Sequence, residues 1–168
     1  TAVDRSKPRL ARLRDNLTRL GLEAETVVAD TTQWQGGPFD ALLVDAPCSS
    51  TGTIRRHPEL PWIRTPEQFA PLPAIQRDML ERAARFLKPG GRLVYCVCSL
   101  EKDEGEAQID AFLTRNGGFF LAPIKAGEAS IPAPMIDAAG RLRTLPQMAI
   151  GESSGLDGFF AARLVRRA

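Results

Sequence analysis

The sequence predicts an α/β protein with a doubly wound sheet and helices on both faces. Apolar runs typical of strands alternate along the chain with segments whose apolar residues recur at helical spacing. Several of these strands stop at an acid or a cysteine, and ligands of open α/β sheets bind at the carboxyl ends of strands. With 168 residues, 43% hydrophobic and 25% charged, the chain has the composition of one ordinary globular domain.

Composition narrows the function classes. The longest apolar runs are far too short to span a bilayer. The three cysteines are an odd number and no signal peptide precedes them, so we expect reduced thiols and a cytoplasmic location. The net charge of +2 is weak evidence for a nucleic-acid partner, since a slightly basic domain can simply be soluble. However, Arg55, Arg56 and His57 cluster in a predicted loop, and contact with phosphates is the better interpretation of this cluster.

The first part of the chain predicts strand, helix and strand. Residues 1–4 are typical of the end of a strand, and without an initiator methionine we expect the chain to be a fragment. Ser6 can cap a helix whose leucines recur at helical spacing, and Gly21 ends it. A second strand over residues 24–29 closes on Asp30.

Residues 39–52 form the predicted centre of the site. Residues 41–44 are apolar without alternation, as expected for a strand covered on both faces of a parallel sheet. Asp45 falls at the carboxyl end of this strand, and Cys48 follows in a loop of small residues that can pass close to a ligand.

The remainder of the chain continues the alternation. Residues 53–73 contain several prolines and no sustained periodicity, which predicts a long, functional loop. Residues 123–156 show little pattern. The other predicted elements are helices over 73–87 and 103–115, strands over 93–98 and 119–121, and a last strand over 159–165 at or near an edge of the sheet.

Acids and thiols recur at the ends of the predicted strands. In a nucleotide-binding sheet, Asp4 suits a role in accepting hydrogen bonds from ribose hydroxyls, and Asp30 can accept from an adenine amine. Taken singly, each acid is as well explained as a turn or cap residue. Cys48 and Cys98 could face one crevice as nucleophiles, or both could be buried and inert.

Two further points concern the cysteines. Cys96 and Cys98 point the same way on a strand, so spacing cannot choose between them, although the position at the strand's end favours Cys98. A single histidine and a Cys-x-Cys spacing argue against a metal site.

Three motifs carry a resemblance to a known family. Asp45-Ala46-Pro47-Cys48-Ser49-Ser50-Thr51-Gly52, Ile54-Arg55-Arg56-His57-Pro58 and Val94-Tyr95-Cys96-Val97-Cys98-Ser99 resemble the RNA cytosine-5 methyltransferases of the Fmu/Sun type. Within that family, the bacterial small-subunit ribosomal RNA enzymes are the most similar. The resemblance covers nearly the whole chain, through residues 88–91, 104–109, 145–146 and 157–160.

The resemblance implies a fold, a cofactor and residue roles. The fold is the Rossmann-like class I methyltransferase sheet, residues 1–168 are part of the catalytic domain, and the methyl donor is S-adenosylmethionine. Cys98 would attack carbon 6 of a cytosine in RNA, and Cys48 would assist release of the methylated base. The acids Asp45, Asp4 and Asp30 would bind base or donor, and the loop with Arg55, Arg56 and His57 would contact RNA.

Two departures from the family qualify these expectations. Val97 stands where the family usually has threonine, a mild change. The glycine-rich strand, loop and helix expected before Asp4 are absent, so we expect a truncated sheet that lacks its first strand. Such a chain should bind the donor poorly unless an upstream segment or another chain completes the sheet.

Two alternative functions remain at this point. The chain could be a non-catalytic RNA-binding module derived from such a methyltransferase. A thiol hydrolase needs a general base to activate its cysteine. It is less well supported, because the only histidine, His57, lies in an arginine-rich loop where phosphate contact or packing is expected.

Overall fold

The computed structural model describes residues 1–168, with the exception of the side chain of Ser153. The chain divides into two compact units, Thr1–Gly36 and Gly37–Ala168. No helix of the described residues is both long and apolar enough to cross a membrane.

The first unit is a strand–helix–strand motif. Strands β1 (Ala2–Asp4) and β2 (Thr26–Val28) pair in parallel and are connected by helix α1 (Lys7–Leu20). The predicted caps are confirmed: the Ser6 side chain accepts a hydrogen bond from the Arg9 backbone N–H at 3.4 Å, and Gly21 ends the helix at a φ of 64°. This left-handed conformation suits glycine because it has no Cβ to clash.

The second unit is built on a mixed sheet. Its helices are α2 (Leu60–Ile63), α3 (Pro66–Phe69), α4 (Leu72–Phe86) and α5 (Glu106–Arg115). Its strands are β3 (Phe39–Asp45), β4 (Leu87–Val97), β5 (Phe119–Leu121), β6 (Leu142–Thr144), β7 (Ala149–Ile150), β8 (Ser153–Ser154) and β9 (Phe159–Arg166).

The strand order within the described residues is β3-β4-β9-β5, with β6 also paired to β9. β3 and β4 run parallel, which places Asp45 opposite Cys96, whereas β9 is antiparallel to both β4 and β5. The last strand therefore lies next to the edge strand, in agreement with the prediction. The core has fully buried side chains from several of these elements: Leu80, Leu93, Tyr95, Phe112 and Phe160.

The prediction that the β3 strand is covered on both faces is wrong. Val44 is 7% exposed, but Leu43 on the opposite face is 70% exposed. Helix α4 packs against β3 and β4 and covers one face of β3. Successive side chains of a strand point to opposite faces, so Ala41, Leu43 and Asp45 lie on the other face and are exposed. An apolar run therefore does not by itself show that both faces are covered.

Other predicted boundaries move by a few residues. The long loop over 53–73 contains the one-turn helices α2 and α3, each with a proline in its first turn. Strand β4 begins at Leu87 rather than at residue 93, because Leu87 already pairs with Phe39. Helix α5 begins at Glu106, since residues 102–105 form a turn before it.

Candidate active site

The two predicted reactive cysteines meet at the carboxyl ends of β3 and β4. Cys98 directly follows β4, and Cys48 lies in the loop after β3. Their Sγ atoms are 3.5 Å apart, and both side chains are half-buried. Because β3 and β4 are parallel neighbours, both segments leave the sheet at the same edge, as the sequence predicts.

The thiol pair shares one proton unequally. The hydrogen bond from Cys48 lowers the pKa of Cys98 to about 6, against burial, with further help from the Ser50 hydroxyl. The Sγ of Cys98 lies 3.7 Å from that hydroxyl oxygen. The same hydrogen bond, together with burial, raises the pKa of Cys48. At neutral pH the pair therefore presents Cys98 as the thiolate and Cys48 as the thiol, and a thiolate is the nucleophilic form of cysteine.

Cys96, which spacing could not separate from Cys98, has a different environment. It lies inside β4 and is 6% exposed. Burial, and then the negative charge of Asp45, raise its pKa to about 12. Its Sγ is 3.8 Å from Oδ1 of Asp45, the exposed last residue of β3. These surroundings favour Cys98 as the reactive thiol.

The loop that carries Cys48 is held closely against two other segments. The Gly52 backbone N–H donates to the Cys98 carbonyl at 3.1 Å, and the Gly158 N–H donates to the Gly52 carbonyl at 2.8 Å. A Cβ added at Gly52 would lie 1.8 Å from the Gly158 carbonyl oxygen. Glycine is therefore required at position 52, because any side chain would push the loop away from Cys98.

Glu104 is a buried member of the site that the sequence interpretation gave no role. It is 3% exposed, and its carboxylate accepts hydrogen bonds from the Ser49 N–H at 2.9 Å and from the Ser49 hydroxyl at 2.6 Å. The Ser99 hydroxyl also donates to it. Glu104 lies in an acidic run that is typical of an exposed turn, so hydropathy offered no signal for its burial.

Helix α4 contributes a buried amide to the same cluster. Gln76 is fully buried, and its Nε2 donates to the Pro47 carbonyl at 2.8 Å and to Glu104 at 3.1 Å. Its Oε1 accepts no hydrogen bond within the described part of the chain. The Tyr95 hydroxyl donates to the Glu104 carbonyl at 2.7 Å. Glu104 is therefore fixed through both its side chain and its backbone.

The three predicted RNA-contacting residues are exposed and have local partners. The Arg55 guanidinium donates to the backbone carbonyls of residues 154 and 155. Arg56 pairs with Asp157 at 2.7 Å, and this contact raises the pKa of Arg56, with a smaller contribution from Cys98. His57 lies 3.3 Å from a Glu59 carboxylate oxygen. The carbonyls that bind Arg55 belong to residues 123–156, which showed little pattern in the sequence, whereas Asp157 belongs to a segment within the family resemblance.

Asp4 and Asp30 lie at the carboxyl ends of parallel strands in the first unit. Asp4 ends β1, and Asp30 follows β2 by two residues. An Asp4 carboxylate oxygen accepts from the Ser6 N–H at 2.7 Å, and Asp30 accepts from the N–H and hydroxyl of Thr32 at 2.8 and 2.7 Å. The Thr32 bonds lower the pKa of Asp30. Both acids therefore have the turn role considered for them, and both remain acceptors.

Comparison with known proteins shows similarity to ribosomal RNA methyltransferases. A family model described as 16S rRNA methyltransferase RsmB/F matches residues 1–165. The chain is 41% identical over 174 residues to ribosomal RNA small subunit methyltransferase B of Klebsiella pneumoniae strain 342, which covers 99% of this chain and 36% of the relative. With the protein of that name from Vibrio cholerae it shares 46% identity over 138 residues, or 78% of this chain and 32% of the relative. The chain thus spans about a third of the length of these curated relatives.

Solved structures show the same likeness. The chain in the crystal structure of NSun6 from Pyrococcus horikoshii with SFG is 27% identical in sequence to this chain. The matched region covers 99% of this chain and 41% of the NSun6 chain, with a TM-score of 0.77. A methyltransferase homolog protein from the same organism is 29% identical over 98% of this chain and 52% of its own, with a TM-score of 0.68.

Proposed function

Because the chain belongs to the 16S rRNA methyltransferase RsmB/F family, we propose that it forms part of the catalytic domain of an S-adenosylmethionine-dependent RNA cytosine-5 methyltransferase that acts on small-subunit ribosomal RNA. The observation that carries the proposal is the pair of unequal thiols, 3.5 Å apart, at the ends of two parallel strands. One thiol is suited to attack a base, and the other holds a proton.

Cys98 performs the covalent step in this proposal. Carbon 5 of cytosine is a weak nucleophile, and it becomes a strong one when a thiolate adds to carbon 6 and the double-bond electrons move to carbon 5. The lowered pKa of Cys98 keeps it ionised for this addition at neutral pH. S-Adenosylmethionine supplies an electrophilic methyl group for carbon 5.

Cys48 acts after the methyl transfer. Its pKa is raised chiefly by the hydrogen bond to Cys98. Once the Cys98 sulfur is bonded to carbon, that hydrogen bond to a thiolate is lost, so Cys48 can release its proton to solvent. The resulting thiolate can remove the proton from carbon 5, which allows Cys98 to leave and the double bond to re-form. We assign to the exposed Asp45 carboxylate a contact with the polar edge of the base or with the donor.

The first unit supplies acceptors that fit part of the donor. Asp4 and Asp30 lie at one edge of the β1–β2 pair, and carboxylates accept hydrogen bonds from ribose hydroxyls and an adenine amine. We propose that these two acids hold the nucleoside part of S-adenosylmethionine. The length of the relatives leaves room for a segment outside residues 1–168 to complete the donor site, and we include that segment in the proposal.

The RNA would contact the exposed loop after Cys48. Arg55, Arg56 and His57 are all exposed, and the charge of Cys98 adds to the effect of Asp157 in raising the pKa of Arg56. A guanidinium in the loop after Cys48 can hold a phosphate next to the target nucleotide, which leaves its stack to reach the site. The three cysteines are free, and the mechanism needs them reduced, which supports a cytoplasmic location.

The experiment that tests the proposal is covalent trapping. Small-subunit ribosomal RNA containing 5-azacytosine or 5-fluorocytosine is incubated with the protein and S-adenosylmethionine, and the adduct is detected on a denaturing gel. We expect no adduct with Cys98→Ala and an unchanged yield with Cys96→Ala. With unmodified RNA, Cys48→Ala should form its adduct more slowly than the wild type, because Cys98 is less ionised, and keep it longer, because no Cys48 thiolate removes the proton from carbon 5. Trapping that survives the loss of Cys98 would contradict the assigned nucleophile. RNA binding by the wild type without any adduct would instead support a binding module.

A further inference from the structure

A buried acid joins the two segments that carry the reactive thiols. Ser49 follows Cys48, and Ser99 follows Cys98. Both serine hydroxyls donate to the same oxygen of Glu104, and the Ser49 backbone N–H donates to the carboxylate as well. Each reactive cysteine is therefore followed in the sequence by a serine that donates a hydrogen bond to Glu104.

Four hydrogen-bond donors converge on the Glu104 side chain. The Ser49 backbone N–H and Gln76 Nε2 donate to Oε1, and the two serine hydroxyls donate to Oε2, a set of donors that suits an ionised carboxylate. Among the described residues no cation pairs with this carboxylate, so hydrogen bonds alone offset its burial. A buried charge without a cation is costly and is more typical of a functional site than of a structural one.

The charge of Glu104 acts unequally on the two thiols. The titratable neighbours of Cys48 are Cys98, Glu104 and Tyr95. The hydrogen bond to Cys98 and burial are the main causes of the raised pKa of Cys48, and the charge of Glu104 adds to them. Cys98 faces a different set of groups. Its charged or titratable neighbours are Cys48, Asp45, Cys96 and Arg56. A fixed negative charge on the Cys48 side makes a thiolate there less favourable than one at Cys98.

We propose that Glu104 is a positioning residue for the thiol pair: its buried carboxylate holds the two cysteine segments together, and its charge keeps the shared proton on Cys48. Without this charge, two thiols 3.5 Å apart would divide the proton more evenly. The nucleophile and its proton-carrying partner are thereby assigned by a residue that does not touch the substrate. The effect of Glu104 on the position of the proton is independent of the proposed function. Only its importance for catalysis rests on that function.

The test compares Glu104→Gln with Glu101→Gln in the otherwise intact protein. Glutamine keeps the size of Glu104 and one acceptor oxygen but removes the charge. Glu101 is an exposed acid in the same segment and serves as the control. Each protein is alkylated with iodoacetamide across a pH series, without RNA or donor. Tandem mass spectrometry then measures Cys48 in tryptic peptide 20–55 and Cys98 in peptide 93–102.

We expect Cys98 to react faster than Cys48 at pH 7 in the wild type and in Glu101→Gln. In Glu104→Gln the ratio of the two rates should fall by more than about twofold, because the charge of Glu104 adds to the other causes that keep the proton on Cys48. Circular dichroism establishes that the variant is folded. A ratio within about twofold of wild type in folded Glu104→Gln would overturn the proposal, because the charge would then have no effect on which thiol holds the proton.

A second variant applies if Glu104→Gln does not fold. Ser49→Ala removes the hydroxyl that donates to the carboxylate at 2.6 Å and leaves the charge in place. The segment that carries Cys48 is then less tightly held, so the rate ratio should change in the same direction by a smaller factor. An unchanged ratio in folded Ser49→Ala would refute the positioning role. Because neither assay uses RNA or donor, failure of the methyltransferase proposal would be seen separately, in the trapping experiment.

Discussion

Replacing Cys48 with alanine should return the pKa of Cys98 to the range of an ordinary thiol. The pKa of Cys98 falls from 9.0 to about 6, and the largest cause is the hydrogen bond from Cys48, whose Sγ is 3.5 Å away. At pH 7 a thiol with a pKa of 6 is ~90% thiolate, whereas one with a pKa of 9 is ~1% thiolate. Burial, which opposes ionisation of Cys98, remains in the variant. Cys48→Ala therefore converts Cys98 from a thiolate into a thiol at neutral pH.

The pH midpoint of Cys98 alkylation by iodoacetamide measures this change. The midpoint is preferable to the rate, because a less acidic thiol forms a more nucleophilic thiolate, which offsets part of the lost ionisation. We expect a midpoint near pH 6 for the wild type and near pH 9 for Cys48→Ala. Cys96→Ala is the matched control and should keep the wild-type midpoint, since Cys96 lies within β4. A midpoint that stays near pH 6 in folded Cys48→Ala would refute the reasoning.

Three further predictions concern the cysteine loop, the hydrophobic core and the Asp137–Arg141 contact. Gly52→Ala should disrupt the cysteine loop and remove the difference in reactivity between the thiols, because its Cβ would lie 1.8 Å from a backbone oxygen, whereas Gly117→Ala, with no atom within 4 Å, should match wild type in alkylation. Phe160→Ala should lower the free energy of unfolding by about 3–5 kcal/mol in a urea titration, while Trp62→Ala, at a side chain 88% exposed, should change it by about 0.5 kcal/mol or less. Burial would raise the pKa of Asp137, but hydrogen bonds from the Arg141 backbone and side chain outweigh it and lower that pKa. Asp137→Asn should therefore reduce Tm at pH 7, and the difference from wild type should shrink as the pH falls from 3.8 through the lowered pKa of the folded state.

The sequence by itself determined the local elements and the identity of the reactive groups. The caps of α1 at Ser6 and Gly21 depend on residues within a few positions of each other, so their chemistry is visible in the chain. Cys48 and Cys98 were placed at strand ends because apolar runs stop just before them. The motifs around both cysteines indicated the family, to which the chain belongs.

Only the tertiary structure decided how these groups act on one another. The thiols are 50 residues apart in sequence, and their separation depends on the register of β3 against β4 and on the close approach at Gly52. Cys96 and Cys98 are equivalent in spacing and differ only in burial and neighbouring charge. Glu104 lies in a run that is polar in sequence, and it is buried because donors from three separate segments converge on it. Such convergence depends on packing between distant segments, which no local pattern records.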